Sequence, residues 1–548
     1  MGTALVLLGL LTILVAWFRL VNLKKSRLPP GPKPFPIVGN VRDLTSKELW
    51  LRTSTWAKQF GDIVYMHVAG QGLSRRPPQK RGSIYSDRAP MVMAGELCGC
   101  ENMVAFTRYG DMSRRQRRLM QQALGVSAIR TYQPLLEIET HALLKRILVE
   151  PEDYLGHIRR YGGGLTLLVI YGYRVTSNDD EFVMLAEECV DILSNKMTSG
   201  GGIWPVDIFP FLKHLPLWFP GAGFKHKAIE WKAKMQEFVD KPFNMVKDRM
   251  VSALRTLWHL TELIVMQRDG TAIPCFCTML LDEQQDEGDK ALDEQKDFDI
   301  RWTANSMYSG LCPSQPSAAY VTLHLRVCIT LTGVLFNQTI TAVSHFLLAM
   351  LLHPEVLAKA QEEIDNVVGT NRLPTFSDRP SLPYVDAVMS ECLRWAAPVP
   401  LGLPHRLMED DVYQEMYIPK GSLVFGNVWN MVRNEELFPN SDMFSPERYL
   451  EDVDEATAKK RDPRNYVFGF GRRKCPGVHL IESSLWIVMA SILAAFDIKK
   501  AVDDFGNVVE PEIAFDNAIF RTPNPFKCDL RPRSETAVKV VRQAADAV

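Results

Sequence analysis

Polarity along the chain changes character several times, most sharply at its start. From Thr3 to Leu20 the residues are almost unbroken apolar, apart from Arg19 near the end. A helix needs about 20 apolar residues to cross the hydrocarbon of a bilayer, so residues 3–22 read as a transmembrane anchor of just sufficient length. Lys24, Lys25 and Arg27 follow at once, and positive residues stay on the cytosolic side, which puts the bulk of the chain in the cytosol. A cleaved signal peptide would want basic residues before the apolar run and a small-residue cleavage site after it; neither is there. In Leu28–Pro34 (LPPGPKP) the prolines fix φ and remove donors, so residues 23–36 form a basic, stiff spacer.

Beyond the spacer, helical periodicity dominates. It predicts helices over Glu48–Phe60, Arg114–Ala123, Pro134–Leu148, Glu181–Lys196, Lys225–Met250, Pro354–Val368, Tyr384–Trp395 and Val478–Phe496. Short alternating stretches at Asp62–Val68, Val412–Ile418 and Leu423–Asn427 predict strands. The fold class is therefore mainly α with small β-sheets. Asp282–Asp299 (DEQQDEGDKALDEQKDFD) is dense in charge and reads as a solvated connector. There is no internal repeat and no second domain after it, so residues 37–530 form one domain and 531–548 a tail.

Composition narrows the chemistry. Apolar residues make up 46% and charged residues 23%, an ordinary globular balance that allows a large core. A net charge of −1 gives no reason to expect nucleic acid as a partner. The ten cysteines are scattered singly, apart from Cys98/Cys100 and Cys275/Cys277; that is no disulfide framework, and no zinc-type CxxC pair occurs. Reduced thiols facing a cytosol-like compartment fit best, and one of them is free to serve as a metal ligand.

That one is Cys475. It lies in Phe468-Gly-Phe-Gly-Arg-Arg-Lys-Cys-Pro-Gly477, just ahead of the apolar helical run. A ligating cysteine must be thiolate, which nearby cations, backbone N–H groups and a helix N-terminus stabilise. Arg472, Arg473 and Lys474 supply the first, Gly469, Gly471 and Gly477 permit the tight turn, and Pro476 suits the first helical turn. The segment resembles the heme-binding signature of the cytochrome P450 family, Phe-x-x-Gly-x-Arg-x-Cys-x-Gly, at each fixed position.

Further segments strengthen the resemblance, which spans Leu28 to Pro525. Glu391-Cys-Leu-Arg394 places an acid and a base three apart on one helix face. Alone it would be an ordinary surface pair; in the family such a pair joins a downstream arginine, here Arg448 of Phe444–Tyr449, in a structural role. The resemblance implies heme b, iron protoporphyrin IX, with Cys475 as axial ligand and Phe468 beside the ring. Its propionates would meet Arg473, Arg406 and Arg117, since guanidinium forks suit carboxylates. Where the family often has Trp-x-x-x-Arg, this chain has Ser113 in place of the tryptophan. Arg114, Arg115 and Arg118 could instead dock an acidic electron donor.

Three segments depart from the family pattern: residues 70–79, 251–267 and 311–338. The gravest lies in the oxygen-activating helix, where Trp302–Gly310 and Ala342–Met350 are separated by a stretch with Pro313 and Pro316, which no helix continues through. Asn337 and Gln338 then stand where the family has an acid and a threonine that deliver protons during oxygen activation, and Thr339 is the nearest hydroxyl. These segments read as unspliced or mis-joined pieces of a gene, the alternative being natural surface loops.

The resemblance implies a monooxygenase that inserts one atom of O2 into a small apolar substrate, of the kind met in fungal secondary metabolism. Its electrons would come from NADPH through a separate NADPH-cytochrome P450 reductase, since no dinucleotide fingerprint occurs in this chain. Thr339 would relay protons, and Pro398–Leu403 and Ile203–Phe219 would line the pocket. The implied location is the endoplasmic reticulum membrane, single-pass, with the heme domain cytosolic. The competing expectation is a heme-binding protein whose catalysis is impaired by the interrupted helix.

Overall fold

Helices form where apolar residues recur every three to four positions, and the computed structural model shows what each stripe covers. It describes residues 28–35, 39–40, 43, 48–68, 71–74, 82–177, 179–198, 204–257, 275–282, 290–309, 336–517 and 520–547. Helix α1 (Leu49–Phe60) buries Leu49, Trp50, Thr53 and Trp56, one face of a 3.6-residue period. After it come α2 (Asp111–Leu124), α3 (Val126–Val149), α4 (Tyr154–Tyr171), α5 (Glu181–Asp191) and α6 (Gly223–Leu257). The second half holds α7 (Lys290–Ser309), α8 (Phe336–Leu352), α9 (Pro354–Val367), α10 (Pro383–Ala396), α11 (Val478–Ala495) and α12 (Glu535–Asp546).

The sequence pattern does not predict α4, whose Gly162–Gly164 run carries poor helix propensity. Those glycines are buried, and a Cβ at Gly164 would sit in van der Waals contact with Val175, 3.5 Å away. Close packing sustains this helix where propensity does not.

Helix α11 is the axis of the core. Its residues are apolar almost all round, and Leu485 to Ala490 are fully buried against α3, α8, α9 and α10. Among the described residues it alone is long and apolar enough to cross a membrane, and its burial makes it a core helix. The anchor expected at 3–22 lies outside the described residues.

The strands are short. A four-stranded sheet has the order β1–β2–β6–β3, with β1 Met66–Val68, β2 Gln71–Ser74, β3 His405–Arg406 and β6 Leu423–Val424. Strands β4 (Asp411–Tyr413) and β5 (Met416–Ile418) make a hairpin. Strand β7 (Phe496–Lys500) pairs with β10 (Cys528–Pro532), and β8 (Phe515–Asn517) with β9 (Arg521–Pro523).

Three expectations are corrected. Residues 290–299 are the first half of α7 rather than solvated connector: Asp297 pairs with Lys247 and Arg301, and buried Asp299 with Arg115. Paired charge, unlike solvated charge, packs. The segment after Pro532 is α12, capped by the Ser534 hydroxyl and burying Val540 and Val541 against α3. Part of 70–79 is strand β2, paired with β1 and β6. The segments 258–274 and 310–335 lie outside the described residues, and the oxygen-side helix resumes as α8 at Phe336.

Candidate active site: a buried thiol in a cation-lined cleft

The turn before α11 is built by two glycines in left-handed conformation, Gly469 (φ 76°) and Gly471 (φ 58°), where a side chain would be strained. The Cys475 N–H donates to the Phe468 carbonyl at 2.8 Å, closing the loop. The thiol is 8% exposed and opens on a cleft of about 1040 Å³, its solvent-open mouth included. Phe468, Val399, Leu403 and Val424 line this cleft, together with Arg88, Arg117, Arg473 and His405. Ser306 and Ser309, from the last turns of α7, line it as well.

Burial pushes the Cys475 thiol up to about 12, while the Gly477 N–H and the charges of Arg117 and Lys474 pull the other way. The group is therefore a neutral thiol by itself and no activated nucleophile; a metal cation bound to sulfur would deprotonate it outright. Of the cations expected to stabilise the thiolate, only Lys474 does so directly. Arg473 turns away to the carbonyls of Ser86, Val104 and Thr107, and Arg472 turns to the Tyr109 hydroxyl. Arg117, far off in sequence, takes their place and donates to the Lys474 carbonyl at 2.5 Å.

The other charges around the cleft are one-sided. Arg88 is 4% exposed and donates to the carbonyls of Leu403 and Pro404, leaving Nε without a partner. Burial, then repulsion from Arg473 and Arg117, drives its pKa well down. Burial likewise lowers Arg117, and brings Arg473 to about 10. None of the three has a carboxylate within 4.0 Å among the described residues. His405 is held neutral, near 3, by burial and by Arg88; its Nδ1 meets the Tyr85 carbonyl at 2.6 Å. Buried cations without counter-ions are costly. The donor set thus fits an anionic, largely apolar ligand whose metal takes a thiolate, which is the description of an iron porphyrin with its two propionates.

Arg406, expected among the propionate partners, does not line the cleft. Successive strand residues face opposite ways: His405 and its cross-strand partner Val424 line the cleft, while Arg406 and its partner Leu423 do not. Arg406 instead lies 4.0 Å from Asp87. Sequence reasoning missed His405 and Arg88; the parity of the short strand is the signal that would have found the histidine. Of the expected pocket segments, Pro398–Leu403 contributes Val399, Gly402 and Leu403, and nothing from 203–219 contributes among the described residues. Thr339 falls in the first turn of α8, and its side chain lies outside the described residues.

The expected triad assembles on α10. Arg394 grips Glu391 through Nε and Nη2 at 2.7 and 2.8 Å, and Arg448 reaches the same carboxylate at 3.2 Å. Glu391 and Arg394 are fully buried. The Ser445 N–H donates to Glu391, and Arg394 also binds the carbonyls of Val432, Ser441 and Met443. The triad thus ties α10 to residues 432–448, a meander that leads into the cysteine loop.

Comparison with known proteins agrees with this geometry. A cytochrome P450 family model matches residues 327–528, which include Glu391, Arg394, Arg448 and the cysteine loop. The chain is 37% identical over 546 residues to cytochrome P450 monooxygenase claT of Ampulloclitocybe clavipes, covering 98% of both chains. It is 37% identical to cytochrome P450 monooxygenase claR of the same fungus, covering 99% of this chain and 93% of that one. Cytochrome P450 monooxygenase 176 of Postia placenta is 35% identical, with 95% and 93% covered. With whole-length relatives at this identity and a cleft suited to iron porphyrin, the chain belongs to the cytochrome P450 monooxygenases, a family whose cofactor is heme held through a cysteine thiolate.

Proposed function

We propose that this chain inserts one atom of O2 into a small apolar molecule of secondary metabolism, the other atom leaving as water. The observation that carries the reading is the buried thiol of Cys475 in a cleft ringed by guanidiniums that have no carboxylate within 4.0 Å among the described residues, Asp87 acting on Arg88 and Arg473 only from farther off. Cys475 would hold the iron, and Arg88, Arg117, Arg473 and His405 would meet the propionates. The bound heme supplies the redox chemistry of oxygen activation, with the thiolate favouring O–O cleavage.

The chain's own residues do the rest. Phe468, Val399 and Leu403 make the cleft apolar, which favours an apolar substrate over water. The Gly477 N–H and Arg117 temper the charge on sulfur, and the Glu391 triad holds the loop's supports rigid. Thr339, next to Asn337 and Gln338, would be a proton donor on the oxygen side. Electrons would come from NADPH through a separate reductase. Residues 3–22 would anchor the chain in the endoplasmic reticulum membrane with the heme domain cytosolic. The fungal relatives, named monooxygenases along nearly the whole chain, support an active enzyme over an impaired one.

The test is to reconstitute the membrane-bound chain with heme, a fungal reductase and NADPH, and offer it apolar terpenoid and aromatic substrates under isotopically labelled dioxygen. One labelled oxygen atom per product molecule is expected. NADPH consumption that yields only peroxide with every substrate offered would contradict the proposal.

A further inference from the structure

The corner between α3 and α4 gathers three side chains of metal-binding type. Glu150 follows the last residue of α3, Asp153 precedes the first residue of α4, and His157 lies in the first turn of that helix. One carboxylate oxygen of Glu150, one of Asp153 and one ring nitrogen of His157 lie within 4.8 Å of one another. The carboxylates are on the solvent side and the imidazole is on the core side. The Asp153 carboxylate folds back over the helix start, into the space that a Cβ at position 156 would take. Gly156 is what admits it there.

Two carboxylates at a turn would by themselves be an ordinary solvated pair. The imidazole is the unexplained member. His157 is 3% exposed, and its Nε2 meets the Glu150 carbonyl at 2.9 Å. A carbonyl only accepts, so Nε2 carries the proton and Nδ1 carries the lone pair. Nδ1 is buried and has no hydrogen-bond partner among the described residues. A buried acceptor left this way is costly and calls for an occupant beside it. An imidazole whose other N–H is held by a backbone carbonyl is fixed in the tautomer that ligates metal. With two carboxylates beside it, the occupant whose charge they balance is a divalent cation.

We propose that Glu150, Asp153 and His157 bind one divalent cation of the zinc class. One nitrogen and two carboxylate oxygens suit zinc, whereas calcium takes about six to eight oxygens. Tetrahedral zinc with bonds of about 2.0–2.2 Å holds its ligand atoms roughly 3.3–3.6 Å apart. The two solvent-side carboxylates draw in by up to about 1.5 Å to meet that geometry, while the buried ring stays still. Water completes the coordination from outside. The bound ion clips the C-terminal end of α3 to the first turn of α4, two helices that pack on each other and, through α3, on α11. None of the three ligands lines the Cys475 cleft, so the site stands apart from the oxygenase reading.

The experiment uses the full chain as purified with its heme, cleared of loose metal by a chelator and titrated with Zn²⁺. Measurements are zinc bound per chain by equilibrium dialysis, the melting temperature, and the zinc-edge X-ray absorption spectrum. Wild type should bind one zinc per chain. At zinc a hundredfold above its dissociation constant the melting temperature should rise by about 2 °C, the mass-action gain spread over the unfolding entropy of a chain this long. The spectrum should show nitrogen and oxygen at about 2.0–2.2 Å with imidazole scattering, and no sulfur near 2.3 Å. Glu150→Gln and Asp153→Asn should each weaken zinc at least roughly tenfold, since loss of a mere supporting group costs about 10–100-fold. Each is read against its own metal-free melting temperature. Glu152→Gln, an exposed acid of the same turn outside the cluster, should bind as wild type does. A wild type that binds no zinc, or that carries it on sulfur, would overturn the site. Wild-type affinity in both Glu150→Gln and Asp153→Asn would overturn it too, by placing the ion elsewhere. A missing red-shifted carbon monoxide band would sink the oxygenase reading and leave this site standing.

Discussion

Replacing Glu391 by alanine removes the one carboxylate that two buried arginines share. Arg394 loses both of its charge-assisted bonds, at 2.7 and 2.8 Å, and Arg448 loses its contact at 3.2 Å. The carbonyls of Val432, Ser441 and Met443 still accept from Arg394, but none carries a formal charge. Breaking a buried pair by removing one partner costs about 3–5 kcal/mol, because an uncompensated charge stays behind. Against a total stability of about 5–15 kcal/mol, that is a large share. With an unfolding entropy of about 2.1 cal/mol/K per residue, the loss lowers Tm by roughly 3–4 °C for a chain of this length. The assay is thermal unfolding followed by tryptophan fluorescence, with heme content measured in parallel. Glu391→Ala should melt that much lower and hold less heme, because the meander tied to α10 leads into the cysteine loop. Glu391→Gln, which keeps the acceptor and loses the charge, should fall between. A Glu391→Ala protein that melts within 1 °C of wild type would refute the reasoning.

Arg88→Ala should speed heme transfer to an acceptor protein by about 10–100-fold, the equivalent of one charged hydrogen bond at ~1.5–3 kcal/mol, whereas Arg406→Ala should not; equal effects would restore Arg406 to the propionate site. Ser113 is fully buried with an unpartnered hydroxyl inside α2, so Ser113→Ala should hold or raise Tm, and a fall of several degrees would show a hidden bond. Burial raises the Asp207 carboxyl from 3.8 to about 6. Its neutral form is therefore favoured in the folded state, a contribution fully present below pH 3.8 and lost as pH rises through 6. Asp207→Asn should accordingly be more stable than wild type at pH 8, by up to about 3 kcal/mol, and equal to it below pH 4. A stability gap that does not change with pH would contradict this.

The helices and the cysteine loop were legible because their signals are local. Amphipathic stripes such as α1 and α9 declare themselves in the spacing of apolar residues, and the spacing of Gly471, Arg473, Cys475 and Gly477 is set within one turn of chain. What stayed hidden depends on long-range partners. The charge-dense start of α7 reads as solvated until Arg115 and Lys247 are seen opposite Asp299 and Asp297. The Gly162–Gly164 stretch gives no helical signal in sequence, and only its burial within the packed core shows why a helix forms there. His405 and Arg406 are indistinguishable as neighbours in sequence; the register of β3 on β6 decides which one faces the cleft. The expectation that Arg473 stabilises the sulfur erred for the same reason, since three carbonyls from the Ser86–Thr107 segment claim its guanidinium.

The central claim is that the sulfur of Cys475 is bonded to heme iron, and the carbon monoxide difference spectrum of the reduced protein tests it most directly. Wild type should show the strongly red-shifted Soret band of thiolate ligation, and Cys475→Ser, recovered folded with the same melting behaviour before heme addition, should lack it. A wild-type protein that stays colourless after heme supplementation, or a Cys475→Ser protein with the same red-shifted band, would contradict the account.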